Sequence, residues 1–141
     1  MAQSGPIIII EDDLDDQEML KEALNEVGVQ NDIVFFDNGP DAMKHLIHSP
    51  QQPFFILCDV NLPKQDGIEF KKELDGNELM RNKSIPFIFY TTFISQYAVN
   101  EAYSKLTVQG FFDKSSNYTE FRELVRIIVQ YWKLCRHPAI N

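Results

Sequence analysis

At 141 residues the chain is long enough for one globular domain and too short for two of ordinary size. Apolar residues make up 44% and aromatics 12%, which excludes disordered, collagen-like and low-complexity classes. Thirteen Lys and Arg against twenty-one Asp and Glu leave a net charge of −8, which argues against general binding to nucleic acid or to an anionic membrane. The first apolar run, Ile7 to Ile10, has no positive charge before it, and no run nears the roughly 20 residues of a membrane span, so a cytoplasmic location without a leader is expected. Cys58 and Cys135 are expected to be unpaired thiols.

In chain order, Pro6 to Ile10 reads as a strand. Leu14 to Val27 follows as a helix, with Met19, Leu20, Ala23, Leu24 and Val27 on one stripe, Asp15 three residues before Glu18 at its opening, and Gly28 as its stop. Asp32 to Phe36 is a second strand, Asp37 and Asn38 a cap, and Pro40 to Ile47 a helix. Pro53 to Cys58 is the third strand. Ile68 to Arg81 has helical character with a weak point at Gly76 and Asn77. Ile85 to Tyr90 is the fourth strand, and Ser95 caps a helix over Gln96 to Leu106. Val108 to Phe112 is the fifth. Asn117 and Glu120 form a capping box for the last helix, Tyr118 to Cys135, whose stripe runs through Phe121, Leu124, Val125, Ile128, Val129 and Trp132.

Five strands alternate with five helices, and the strands are apolar throughout rather than at every second residue. The fold class is therefore α/β, a doubly wound parallel sheet with helices on both faces, forming a single domain over 1–141 with its core at about 6–135. In such a sheet ligands bind at the carboxyl ends of the strands. Glu11, Asp12 and Asp13 follow the first strand, Asp59 the third, Thr91 and Thr92 the fourth, and Asp113 and Lys114 the fifth. If Glu11, Asp12 and Asp59 meet within about 5 Å, each like-charge pair costs roughly 3 kcal/mol at an effective dielectric near 20. A hard divalent cation cancels that repulsion, and an oxygen set with retained waters suits Mg²⁺. Most of the acidic run from Glu11 to Glu26, including Asp15, Asp16, Glu18 and Glu22, reads as a solvated helix face. His45 and His48 lack a third ligand and read as surface residues. Tyr97, Tyr103 and Trp132 fit core or helix stripes.

Ile-Ile-Glu11-Asp12-Asp13, the segment Leu57-Cys58-Asp59-Val60-Asn61-Leu62-Pro63-Lys64-Gln65-Asp66-Gly67, Tyr90-Thr91-Thr92 and Gly110-Phe111-Phe112-Asp113-Lys114 closely resemble the receiver domain of two-component response regulators. The four pieces occur in the family's order, each after a strand, in register over about residues 6 to 135. The resemblance implies the flavodoxin-like strand order 2-1-3-4-5. It implies that Asp59 accepts a phosphoryl group from a sensor histidine kinase or a histidine phosphotransfer protein, as carboxylate nucleophiles can. Asp12 and Asp59 would bind Mg²⁺ with the Asn61 carbonyl, and Glu11 directly or through water. Thr91 and Lys114 would hold phosphoryl oxygens. Movement of Thr91 would let Phe111 turn inward and change the face made by the Gln96–Leu106 helix, the fifth strand and the last helix, where a downstream protein would dock.

The chain departs from the family pattern in three places. Ser115 follows Lys114 where the family usually has Pro in a cis bond, Glu11 stands where Asp is commoner, and Phe93 lies two beyond Thr91, where it cannot orient a water to hydrolyse the acyl phosphate. The expected protein is thus a stand-alone phosphoacceptor, not an enzyme in the ordinary sense, with no nucleic-acid or membrane partner. The basic residues of the last-helix region, Lys114, Arg122, Arg126, Lys133 and Arg136, read either as a solvated face or as a stripe for an acidic partner or a second copy of the chain. The alternatives are a phosphorylation-independent pseudo-receiver and a Mg²⁺-dependent aspartyl phosphatase, the latter disfavoured by Asn61 where a second Asp is needed.

Overall fold

A computed structural model describes residues 4–92 and 94–138. Five parallel strands, β1 (Ile7–Ile10), β2 (Ile33–Phe36), β3 (Phe55–Asp59), β4 (Phe87–Thr91) and β5 (Gly110–Asp113), form one sheet in the order β2-β1-β3-β4-β5. Among the described residues six helices connect and cover them: α1 (Leu14–Glu26), α2 (Gly39–His48), α3 (Gly67–Gly76), α4 (Glu78–Lys83), α5 (Gln96–Lys105) and α6 (Tyr118–Leu134). The class, the parallel pairing and the strand order agree with the sequence reading; the helix count does not. The expected helix over Ile68–Arg81 divides at Asn77, which ends α3 with extended backbone and whose side chain caps α4 by accepting from the Met80 N–H. Gly76 and Asn77, both weak helix formers, are where the break falls.

Alternation along the central strands sends one set of side chains to each face. Ile7, Ile9, Leu57, Ile88 and Tyr90 pack with Leu20 and Leu24 of α1 and Phe121, Val125 and Ile128 of α6. Ile8, Ile10, Ile56, Cys58, Phe87 and Phe89 pack with Ala42 and Leu46 of α2, Phe70 and Leu74 of α3 and Met80 of α4. β1, β3 and β4 are buried along their whole length, which explains their unbroken apolar sequence, whereas β2 is only half-buried and β5 is half-buried or exposed because they form the edges. Among the described residues α5 buries only Ala102. Tyr97 and Tyr103 are 74% and 50% exposed, so of the two places open to them, core or helix stripe, these rings take the surface of α5.

Caps correct the sequence reading at two ends. The N-cap of α1 is Asp13, which accepts from the Asp16 N–H, and not Asp15; Gly28 then takes a positive φ just past the helix. Asn117 caps α6 as expected, but Glu120 does not reach back to it: Ser115 Oγ donates to Glu120 Oε2 at 2.9 Å and accepts from the Asn117 N–H at 3.1 Å. The serine that replaces the family's proline thus serves the helix it precedes. The Lys114–Ser115 peptide is trans, as are all peptides among the described residues. No disulfide joins Cys58 and Cys135, as expected.

One buried ion pair ties α3 to the segment before β5. Lys71, 3% exposed, lies over the Phe87 ring and donates to Asp75 Oδ1 at 2.8 Å and Thr107 Oγ at 2.9 Å. Burial pulls the Lys71 ammonium below its ordinary range, while hydrogen bonds from Lys71 and Thr107 overcome burial and hold Asp75 below its own. Asp75→Asn leaves that ammonium buried without its counter-charge. The Thr107 hydroxyl remains and Asp75 is partly exposed, so the expected loss is about 2 kcal/mol, under the roughly 3–5 typical of a fully buried pair. Urea unfolding at neutral pH would read it as a lower midpoint at unchanged slope.

Candidate functional site

The strand order reverses beside β1, and the crevice at the carboxyl ends of β1 and β3 is where a doubly wound sheet leaves room for a ligand. Register places Ile10 level with Cys58 and Asp59 level with Tyr90, so Glu11, the residue after β1, stands beside the last residue of β3. The Glu11 N–H is still part of the sheet edge, donating to Phe36 O at 2.9 Å. Asp12 is exposed, Glu11 has no exposure at all, and Asp59 is 5% exposed. Carboxylate oxygens of all three lie within 4.8 Å of one another.

β4 and β5 supply the other expected residues. Thr91 is fully buried at the end of β4, its Oγ accepting from the Asn61 side-chain amide at 3.1 Å, while the Asn61 N–H donates to Asp59 Oδ1 at 3.2 Å. The Lys114 N–H donates to Thr91 O at 2.9 Å, which fixes the start of the lysine side chain. Its Nζ donates to Glu11 Oε1 at 2.6 Å, Asp59 Oδ2 at 2.8 Å and Asp16 Oδ2 at 2.8 Å. Glu11, Asp12, Asp59, Asn61, Thr91 and Lys114 are therefore brought to one place. Phe111 sits apart in β5, half-buried, 5.1 Å from the Phe89 ring and 6.4 Å from Tyr103. Phe93 lies outside the described residues.

Two residues of the cluster were not expected. Asp16, read as solvated surface, is instead a partner of Lys114. With Asp13 as cap it falls in the first turn of α1, at the sheet edge, so the true cap position is the signal that would have found it. Tyr90 points to the α1 and α6 face; its hydroxyl donates to Glu11 Oε1 at 2.5 Å and its ring lies 4.7 Å from Lys114 Nζ. A tyrosine inside an otherwise apolar strand needs a partner for its hydroxyl, and that requirement was the available clue. The His45 ring lies 5.2 Å from that of Phe36, tilted by 46°, and among the described residues the only clustered metal-ligand set is Glu11, Asp12 and Asp59.

The electrostatics follow from burial and charge balance. Desolvation raises the Glu11 carboxyl to about 7, although hydrogen bonds from Lys114 and Tyr90 oppose it. Burial would lower the Lys114 ammonium, but bonds to Asp16, Asp59 and Glu11 outweigh it and hold it above its ordinary range. Burial and the Glu11 charge push the Tyr90 hydroxyl far up, so it stays a donor. One ammonium faces four carboxylates here, and the excess negative charge on hard oxygen donors suits a divalent cation.

A family model described as the response regulator receiver domain matches residues 7–126, and the chain belongs to that family. It is a phosphoacceptor signalling domain of two-component systems. Response regulator Rcp1 of Synechocystis sp. is 29% identical over 131 residues, covering 89% of this chain and 87% of the relative. The crystal structure of the phosphorylated cyanobacterial phytochrome response regulator RcpA superposes with a TM-score of 0.85 at 28% identity, covering 95% of this chain and 98% of that one. The Mn²⁺-bound form of Rcp1 superposes with a TM-score of 0.82 at 29% identity, over 95% and 99% of the two chains. Among the described residues no helix is long and apolar enough to cross a membrane.

Proposed function

We propose that Asp59 is the phosphoryl acceptor and that a sensor histidine kinase or a histidine phosphotransfer protein supplies the group. The observation that carries this reading is the convergence on Asp59 of the Lys114 ammonium at 2.8 Å and of the Glu11 and Asp12 carboxylates, beside buried Thr91. An Asp59 oxygen attacks the phosphorus of a phosphohistidine, a P–O bond forms as the P–N bond breaks, and the imidazole departs. Glu11, Asp12, Asp59 and the Asn61 carbonyl are the residues that would hold Mg²⁺. When bound, such an ion neutralises charge on the transferring group. Lys114 supplies a fixed positive charge to a phosphoryl oxygen, and the Thr91 hydroxyl, now engaged by Asn61, turns to donate to another.

The signal leaves through Thr91 and Phe111. Phe111 is only partly buried and borders Tyr103 of α5, the helix least anchored to the core, so inward rotation of its ring would repack α5, β5 and α6 at small cost. That face is where a downstream protein or a second copy would bind. The chemistry is single-turnover, self-assisted phosphorylation and slow dephosphorylation.

Intact mass after incubation with acetyl phosphate tests the assignment. The wild type gains about 80 Da, one phosphoryl group, only with Mg²⁺, and Asp59→Asn gains nothing. If neither acetyl phosphate nor a phosphorylated histidine donor modifies the wild type, the domain is a phosphorylation-independent binding module.

A further inference from the structure

Lys114 is fully committed before any phosphoryl group arrives. An ammonium has three protons, and here each has a carboxylate: Glu11, Asp16 and Asp59, at 2.6, 2.8 and 2.8 Å. A phosphoryl oxygen on Asp59 can be bonded by Lys114 only if one of the three is released. The acceptors are not equal, their side chains being 0%, 33% and 7% exposed respectively. Glu11 has no access to water, so once released it would depend on a bound cation alone for its counter-charge, a costly state without one. Asp59 loses its carboxylate charge on phosphorylation and passes its share of the ammonium to the phosphoryl group it carries, whose further oxygens then compete with Glu11 and Asp16. Asp16 alone borders a cleft of about 390 Å³, shared with Thr92, Ser115 and Ser116, in which water can solvate it once it is free.

We propose that Asp16 is a positioning residue: it holds the Lys114 ammonium in a resting place, and it is the partner exchanged for a phosphoryl oxygen. The inference rests on the phosphoacceptor reading of Asp59. It also gives α1 a part in the response, because the Asp16–Lys114 bond joins the first turn of α1 to the β5–α6 connection. In the phosphorylated protein that tie is broken, and the Asp16 end of α1 is freed without movement of its buried stripe.

The test uses beryllofluoride, an acyl-phosphate mimic, titrated into the full chain at fixed Mg²⁺. Asp16→Asn removes a competitor for the ammonium, so the mimic binds about threefold more tightly, the scale of a half-exposed ion pair. Asp15→Asn removes the same charge one residue away, where the side chain is exposed, and leaves affinity unchanged. Asp16→Glu restores wild-type affinity. In the metal-free protein the Lys114 ammonium signal, observed by ¹⁵N NMR, is protected in wild type and Asp16→Glu and exchange-broadened in Asp16→Asn. Equal affinities for Asp16→Asn and Asp15→Asn, weaker binding by Asp16→Asn, or an unaltered Lys114 signal would overturn the proposal. A wild type that binds the mimic no better than Asp59→Asn would instead overturn the reading of Asp59 beneath it.

Discussion

Lys114→Ala is expected to abolish phosphoryl acceptance and to destabilise the fold by about 3 kcal/mol at pH 8, the low end for breaking a buried pair. The ammonium is the only cation among the described residues within bonding distance of Glu11, Asp16 and Asp59, and Glu11 has no exposure through which water could replace it. The loss should depend on pH. The Glu11 carboxyl is raised from 4.5 to about 7, so in the folded protein it holds a proton that the unfolded chain has released. A raised carboxyl contributes stability that is fully present below about 4.5 and is lost as pH climbs through about 7. Removing Lys114 deletes a hydrogen bond and a charge that hold Glu11 down, so the variant titrates higher and loses more by pH 8. At pH 5, where Glu11 is protonated in both proteins, the difference should shrink. Thermal unfolding of both at pH 5 and pH 8 checks this, and Mg²⁺ should narrow the gap at pH 8 by supplying positive charge to the same oxygens.

Gly67→Ala should be comparably damaging for a different reason. Gly67 opens α3, its N–H donates to Val60 O at 2.8 Å, and its backbone lies against the chain leaving β3. A Cβ there would sit 2.3 Å from Asp59 O and 2.9 Å from Val60 Cα, both backbone atoms that cannot rotate away. Its φ is not in the left-handed region, so the requirement for glycine is one of space. Either α3 is pushed off the sheet or the Asp59–Val60 peptide shifts, and the second outcome turns the proposed acceptor carboxylate away from Lys114. The expected cost is about 3 kcal/mol, at the upper end for forced overpacking, together with loss of the phosphoryl-dependent mass gain. Gly76→Ala at the other end of α3 is the control: a Cβ there meets nothing within 4 Å, and the change should be neutral or slightly stabilising.

The strands and most of the site were legible in the sequence because both depend on local rules. A parallel sheet covered on two faces demands unbroken apolar runs, and Ile7–Ile10, Phe55–Cys58 and Phe87–Tyr90 have no other comfortable place. Strand ends then name the site, since each is followed at once by the residue that faces the crevice. Reading helix starts was harder. Asp13, Asp15 and Asp16 are all plausible caps, and the side chain that caps decides which acid faces the sheet edge and which faces water. The spacing of Asp15 and Glu18 favoured the wrong one, and with it Asp16 was misplaced on the solvated face.

The sequence by itself determined the class of the fold, the parallel sheet and the gathering of Glu11, Asp12, Asp59, Thr91 and Lys114 at one edge, because apolar periodicity and the residue after each strand are local properties. Tertiary structure alone decided how those charges pair. That Lys114 takes Asp16 as well as Glu11 and Asp59, that Tyr90 reaches Glu11, and that Lys71 is buried against Asp75 and Thr107 depend on elements as far apart in the chain as α1 and the end of β5. Pairing of charges is a matter of distance and burial, and neither is fixed until the helices have packed against the sheet.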